Sequence, residues 1–484
     1  MTTKSQFFCM LKIGLPLVLL FIFLINFVSS AQNPDFRKMT ATERNAFTSG
    51  LREASEKDWQ IMANRLNIKL PGLPTSTQDP NRPKDLFQKP GSNNWTDSLG
   101  NTYVRSLWGN WTNYSESKAD NYRLPDPLVL KNGKPVKDAT TWFKQRRGEI
   151  LNDFCNEIYG KIPIITPRVD FVVTSIDTVD INGKVIKKTI VGQIDNSKFP
   201  AAKSVILITL FIPLKSTPPV PLMVIANWGS TNYGDENPIG PTPQEMILGL
   251  GWGYATVNTS AIQMDSGAGL NDGIIGIANE GKPRNPDDWG VLAAWSWGLS
   301  RALDYFETDK AINPRQIGIQ GHSRWGKTAL LCGALDQRWA IVFSSCSGSM
   351  GASLEKRNWG ENIDNVAGSG EYHWMAGNFL KYGGHWDTMP VDAHELIALV
   401  APRPIFITGG TRDEWSDPHG EFLACLGADP VYRLLGVKGL GTAEMPAPDT
   451  ALVEGELAFR NHAGGHTDLL DWPIFLEFAK KYFK

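Results

Sequence analysis

Cysteine is scarce in this chain of 484 residues: there are five, and one of them, Cys9, precedes the first apolar run. The other four, Cys155, Cys332, Cys346 and Cys425, are scattered and lack the spacing of a zinc site, so neither a disulfide framework nor a structural metal is expected. One bridge stays open, and spacing alone does not pair it. Charge of one sign is also missing, because 48 Lys and Arg face 50 Asp and Glu for a formal net charge of −2. That excludes a basic nucleic-acid surface and any polyanionic partner. No P-loop, dinucleotide fingerprint or H-E-x-x-H motif occurs, so no nucleotide or metal cofactor is implied. The one long apolar run, "IGLPLVLLFIFLINFV", falls short of the ~20 residues that span a bilayer. Lys4 and Lys12 precede it, and small residues at Ser29 and Ala31 follow it. Residues 1–31 therefore read as a secretory leader cut after Ala31, and the mature chain is expected in the periplasm or outside the cell, free of the membrane.

What is present is a large apolar share, 42%, with 17 Trp residues that suit either a packed core or a sugar-stacking cleft. Residues 32–140 are polar and rich in Pro, Gly and Asn, and hold one helical stretch, "ATERNAFTSGLREASEKDWQIMANRL". They are expected to form an extension packed on a core that residues 141–484 build. In "ATTWFKQRRGEILNDFCNEIYG" the apolar residues recur at helical spacing up to a glycine stop. After it the period changes. "DFVVTSIDTV", "KKTIVGQI" and "SVILITLFIPL" read as antiparallel strands joined by turns. Beyond them, continuous apolar runs such as "PLMVIANWG", "QIGIQGHS", "AIVFSSCSG", "RPIFITGG" and "ELAFRNHAGG" alternate with helices. This predicts an α/β fold in three αβα layers, its central sheet mainly parallel with antiparallel N-terminal strands.

The run "QIGIQGHS" ends on a serine between two glycines, and helix-forming residues follow. "GHSRWG" is G-x-S-x-x-G, one residue longer than the G-x-S-x-G nucleophile elbow. By itself it also fits a structural turn serine. Later residues add the missing parts: an acidic cluster after one strand, "FITGGTRDEWSDP", and a histidine after the last, "NHAGGHTD". Ser323, Asp413 and His466 thus follow the Ser, acid, His order of α/β hydrolases. A serine hydroxyl is a weak nucleophile until a histidine takes its proton, and the histidine needs a carboxylate to fix its tautomer. His462 is the rival base and Asp417 the rival acid. His466 is preferred because it follows a Gly-Gly pair.

"GHSRWGKTALLCGALDQRW" resembles the signature of glucuronoyl esterases, carbohydrate esterase family 15, whose pattern is G-[CH]-S-R-x-G-K. "AAWSWGLSRALDYFE", "MPVDAHELIALVAPRPIFITGGTRDEW" and "GGHTD" carry the similarity over most of the chain after about Tyr122. The resemblance implies an α/β-hydrolase that cleaves the ester joining 4-O-methyl-glucuronic acid on xylan to alcohol groups of lignin; separately, a monomer is expected. It also implies an oxyanion-stabilising role for Arg324 and contact of Lys327 with sugar hydroxyls. Glu361, Glu371 and Trp415 match positions that bind the uronate hydroxyls and ring. One departure stands out: many members carry a catalytic glutamate in a stretch like "QESG", where this chain has "SCSG" with Cys346. A thiol does not support an imidazolium as a carboxylate does, so the acid is expected from Asp413. Two other outcomes remain open, another carbohydrate esterase such as an acetylxylan esterase and a non-catalytic sugar-binding relative.

Overall fold

The computed structural model describes residues 39–88, 94–119, 122–228 and 240–483. The leader expected at residues 1–31 lies outside them, and none of the described helices is long and apolar enough to cross a membrane. The first helix, Ala41–Arg65, opens on a capping box in which Thr40 and Glu43 bond each other's backbone amide. It is mostly exposed but sinks Trp59, Met62 and Ala63 into the core, and the Trp59 Nε1–H donates to the Ala367 carbonyl at 2.8 Å. A three-stranded antiparallel sheet of β1 (Phe87–Gln88), β2 (Trp95–Thr96) and β3 (Thr102–Tyr103) follows. The stretch read as one helix runs from Ala139 to Ile158, with two π-helical segments, and buries Trp142, Ile150, Phe154 and Ile158.

The central sheet contains β4 (Val169–Asp180), β5 (Lys184–Ile194), β6 (Val205–Pro213), β7 (Val220–Asn227), β8 (Gly253–Asn258), β9 (Ile312–His322), β10 (Ile341–Ser345), β11 (Ile405–Gly410), β12 (Ala451–Leu452) and β13 (Leu457–His462). Its order is β12-β13-β11-β10-β9-β7-β8-β6-β5-β4. The pairs from β8 through β7, β9, β10 and β11 to β13 are parallel, while β4, β5 and β6 add antiparallel at one edge and β12 at the other. This is the predicted mainly parallel sheet with antiparallel N-terminal strands.

Strand periodicity divides the core into two layers. In β7, Leu222 and Val224 join the cluster under the helices Val291–Thr308, Arg324–Leu335 and Pro418–Leu434, while Met223 and Ile225 join the one under Pro243–Gly249 and Trp472–Ala479. The same split separates Val342 from Phe343, Ile407 from Phe406, and Phe459 from Ala458. Helices on both faces are the reason these strands read as unbroken apolar runs. Burying one such side chain is worth roughly 1.5–3 kcal/mol, so each layer holds its helices firmly. β4, at the sheet edge, instead leaves Val172, Val173 and Ile176 exposed. Trp59, Trp142, Trp289, Trp295, Trp339 and Trp472 are fully buried, so much of the tryptophan content is packing.

Parallel strands bring their carboxyl ends to one edge. Ser345 pairs with His322, Thr408 with Ser345, and Gly410 with His462. The loops that follow carry the residues singled out above.

Candidate active site

At the end of β9 the backbone turns sharply at Ser323, with φ 60° and ψ −129°, and the helix Arg324–Leu335 begins. A positive φ at a non-glycine residue costs roughly 1–3 kcal/mol and persists only where its surroundings hold it. Here the Ser323 N–H donates to the Ser345 carbonyl at 2.9 Å. Two glycines make the turn possible: a Cβ on Gly321 would sit 1.9 Å from the Trp325 carbonyl oxygen, and one on Gly326 would sit 2.8 Å from that of Ser345. The longer spacing of G-x-S-x-x-G therefore has a steric cause, because the first helical turn folds back over the strand end.

His466 Nδ1 lies 2.7 Å from Asp413 Oδ2. Burial pushes the Asp413 carboxyl up, but the His466 hydrogen bond and charge, with a contribution from Ser416, hold it below the usual carboxylate range. The His466 side chain is 42% exposed, against 6% for Asp413, so one ring edge is tied and the other is accessible. Its loop is laced to the loop after β11: the Arg412 N–H donates to the Gly464 carbonyl at 2.9 Å and the Thr411 N–H to the His462 carbonyl at 2.8 Å. Gly410 permits this approach, since a Cβ there would lie 2.2 Å from the Gly465 oxygen. The His466 ring centroid is 4.5 Å from that of His322, the neighbour of Ser323. Burial, reinforced by His466, drives His322 down to about 3, so it is neutral at ordinary pH.

The rivals are engaged elsewhere. His462 is buried, with Nδ1 2.9 Å from Asp471 Oδ2 and Nε2 3.0 Å from the Gly465 carbonyl, which leaves neither nitrogen for a substrate. Asp417 accepts from the Gly420 N–H at 2.9 Å and Arg357 Nε at 3.0 Å, and caps the helix Pro418–Leu434. Cys346 is buried with φ 44°, and its thiol, pushed well up by burial, is 3.6 Å from the Thr467 carbonyl. All four described cysteines are free. One group of metal-capable side chains converges among the described residues: the ligand atoms of Cys346, Asp413 and His466 lie within 4.8 Å of one another.

Next to the elbow is a pocket of charge. Arg324, the first residue of its helix, pairs with Asp265 at 2.6 Å, and its guanidinium lies 5.1 Å from the Trp374 ring centre. Asp265 also meets His373 Nε2 at 3.0 Å and accepts from Trp374 Nε1 at 2.7 Å. Its burial is outweighed by these partners, and the carboxyl stays well below its ordinary range. Lys327 is 3% exposed, and its ammonium donates to the Ser347 carbonyl at 2.8 Å, the Ser349 carbonyl at 2.5 Å and Glu361 Oε2 at 2.6 Å. All three of its donors are taken. Glu371 is partly buried, and burial together with the Glu361 charge raises it to about 8 against the pull of Lys327 and Arg324. Trp415 joins through its backbone, whose carbonyl accepts from the Glu361 N–H at 2.7 Å. Sequence reading missed Asp265 and His322. "GHSRWG" does carry His322, but nothing in the sequence ties "QMDSG" to an arginine after another strand.

A central sheet covered by helices on both faces, with a strained serine turn after β9 and a carboxylate-held histidine after β13, is the layout of the α/β hydrolases. Residues 284–436 match the family described as glucuronyl esterase, fungi. The chain is 34% identical over 400 residues to carbohydrate esterase MZ0003 from an unknown prokaryotic organism, covering 76% of this chain and 91% of that protein. A CE15 glucuronoyl esterase from Teredinibacter turnerae T7901 superposes with a TM-score of 0.75 at 35% identity, over 88% of this chain and 99% of its own. A promiscuous CE15 esterase from the marine bacterial metagenome does so with a TM-score of 0.68 at 32% identity, over 77% and 100%. The chain belongs to carbohydrate esterase family 15, the glucuronoyl esterases.

Proposed function

We propose that this chain is an exported serine esterase that hydrolyses 4-O-methyl-glucuronoyl esters linking xylan to lignin alcohols, through Ser323, His466 and Asp413. The observation that carries the reading is the 2.7 Å contact between His466 Nδ1 and Asp413, with the other ring edge accessible beside the Ser323 turn. Asp413 keeps the imidazole proton on Nδ1, so Nε2 is free to take the Ser323 proton as Oγ attacks the uronoyl carbonyl. Negative charge then grows on the carbonyl oxygen, and the Arg324 guanidinium, held by Asp265, stabilises it together with the amino end of its helix. Collapse of the tetrahedral intermediate expels the alcohol, which takes its proton from His466. Water, activated by the same histidine, releases the glucuronate from Ser323.

Glu361 and Glu371 bind the sugar hydroxyls, and the raised Glu371 carboxyl is able to donate as well as accept. Lys327 acts through Glu361: to reach a sugar hydroxyl itself it would have to release one of its three acceptors. Trp415 serves the uronate by carrying the backbone that holds Glu361. Residues 32–140 form an extension clamped on the catalytic domain of residues 141–484. The Ser106 hydroxyl, which donates to Asp364 at 2.9 Å, supports that division. Residues 1–31 direct export to the periplasm or beyond, and the enzyme works as a monomer.

A broader ester scope is a second reading. It is favoured by the internal engagement of Lys327 and by the relative described as promiscuous. The test is turnover of a benzyl glucuronate ester against acetylated xylan by the wild type and Ser323→Ala. We expect hydrolysis of the glucuronate ester alone, and its loss in the variant without loss of folded protein. Equal turnover of both substrates favours the broader scope, and wild-type turnover by Ser323→Ala removes that serine from the mechanism.

A further inference from the structure

We propose that Cys346, Asp413 and His466 form a binding site for a thiophilic divalent cation such as Zn2+, and that its occupation switches the esterase off. Their ligand atoms converge within 4.8 Å, and the three residues come from loops after adjacent parallel strands, β10, β11 and β13. Each loop is pinned by its backbone. The Cys346 N–H donates to the Thr408 carbonyl at 2.6 Å, the Asp413 N–H to that of Gly410 at 2.9 Å, and the Thr467 N–H to that of Gly465 at 2.9 Å. The donor set is therefore assembled before any ion arrives.

A sulfur, a carboxylate oxygen and an imidazole nitrogen are the ligand types of zinc, and three protein ligands with a water in the fourth position make an open tetrahedral site. Zinc holds sulfur at about 2.3 Å and nitrogen or oxygen at about 2.0–2.1 Å, which sets neighbouring ligand atoms roughly 3.3–3.6 Å apart. The Asp413 to His466 contact of 2.7 Å must open slightly and Cys346 draw in. An ion can reach the group, because the His466 side chain is 42% exposed. The thiol makes the difference from an ordinary serine-esterase site. A carboxylate and an imidazole alone bind such ions loosely, whereas a thiolate selects them.

Binding balances simply. The Cys346 thiol proton leaves to solvent, the Nδ1 proton of His466 shifts to Nε2, and the metal holds a thiolate, a carboxylate and a neutral imidazole. His466 protonated at Nε2 no longer accepts from Ser323, so ester hydrolysis stops. This inhibition rests on the proposed role of His466, whereas the binding does not.

The test titrates the purified full chain with Co2+, following the thiolate-to-cobalt charge-transfer absorption, and measures esterase activity against Zn2+ before and after a chelator. Cys346→Ala and Cys346→Ser are the paired variants, the second covering the case in which alanine does not fold. We expect the band in the wild type only, and chelator-reversible inhibition by Zn2+. The variants should need more Zn2+ by roughly 10–100-fold or beyond, the range that loss of even an indirect metal partner produces. Absence of the band in the wild type overturns the site, as does equal zinc sensitivity in the variants. A band accompanied by undisturbed hydrolysis supports the site and overturns the role of His466 instead.

Discussion

Two histidines four residues apart in the sequence each meet a carboxylate, and the two pairs have opposite characters. His462 and Asp471 are completely buried, and Asp471 is also bonded by Arg460, so the pair is part of an internal ion cluster. Both His462 nitrogens face acceptors, and despite burial, which opposes it, Asp471 and the Gly465 carbonyl raise its pKa. His466 and Asp413 make the same contact 0.2 Å shorter, at 2.7 against 2.9 Å, but leave the second ring edge accessible. The pairing itself is therefore not what distinguishes a candidate base from a strut. What distinguishes them is whether the nitrogen opposite the carboxylate is spent on the protein. The two are also coupled, since the carbonyl that occupies His462 Nε2 belongs to Gly465, next to His466.

The largest test of this contrast is Asp413→Asn. An amide leaves His466 in the wrong tautomer, and kcat for a glucuronate ester should fall roughly 10⁴-fold while the thermal midpoint changes little. Turnover near wild type would break the comparison by showing that the exposed pair is as inert as the buried one. Next is Asp471→Asn, which takes the buried carboxylate away from Arg460 and His462, leaves Arg460 only its Asp449 contact, and should lower stability by roughly 3–5 kcal/mol in denaturant unfolding. Below the unfolding transition, kcat per folded molecule should stay near wild type. If it collapses in protein that remains folded, the buried pair shares in the chemistry.

The smallest effect concerns His322. Its folded pKa of about 3 lies below the ordinary 6.5, so between those values the folded chain binds fewer protons than the unfolded one. Stability therefore rises with pH across that window and is lost as the pH falls from about 6.5 towards 3. His322→Gln should flatten this acid-side slope in melts taken at a series of pH values. An unchanged slope would assign the acid sensitivity to other groups.

How far these features could be read in advance depended on their range. The Ser323 turn is a local matter of two glycines and a strand-to-helix junction, and "GHSRWG" displays it. The choice between His466 and His462 was half legible, because the Gly464–Gly465 pair signals a turn but not which ring is buried. Asp413 and Asp417 follow the same strand, and no pattern separates them. In the structure Asp417 adopts φ 51° and faces Arg357, 60 positions away. Lys327 looked like a ligand-facing charge one turn into the helix, yet it is buried on three acceptors, two of them carbonyls of the loop after β10.

The sequence by itself determined the strand and helix periods, the turn around Ser323, and the order in which Ser323, Asp413 and His466 follow their strands. These depend on side-chain type and on backbone sterics over a few residues. The tertiary structure alone decided which acid meets which histidine, that Asp265 anchors Arg324 across 59 positions, and that Cys346 faces the His466–Asp413 pair. Parallel strands bring such loops together through register and through burial on two faces. Hydrogen bonding and desolvation depend on distance in space, and spacing along the chain does not encode it.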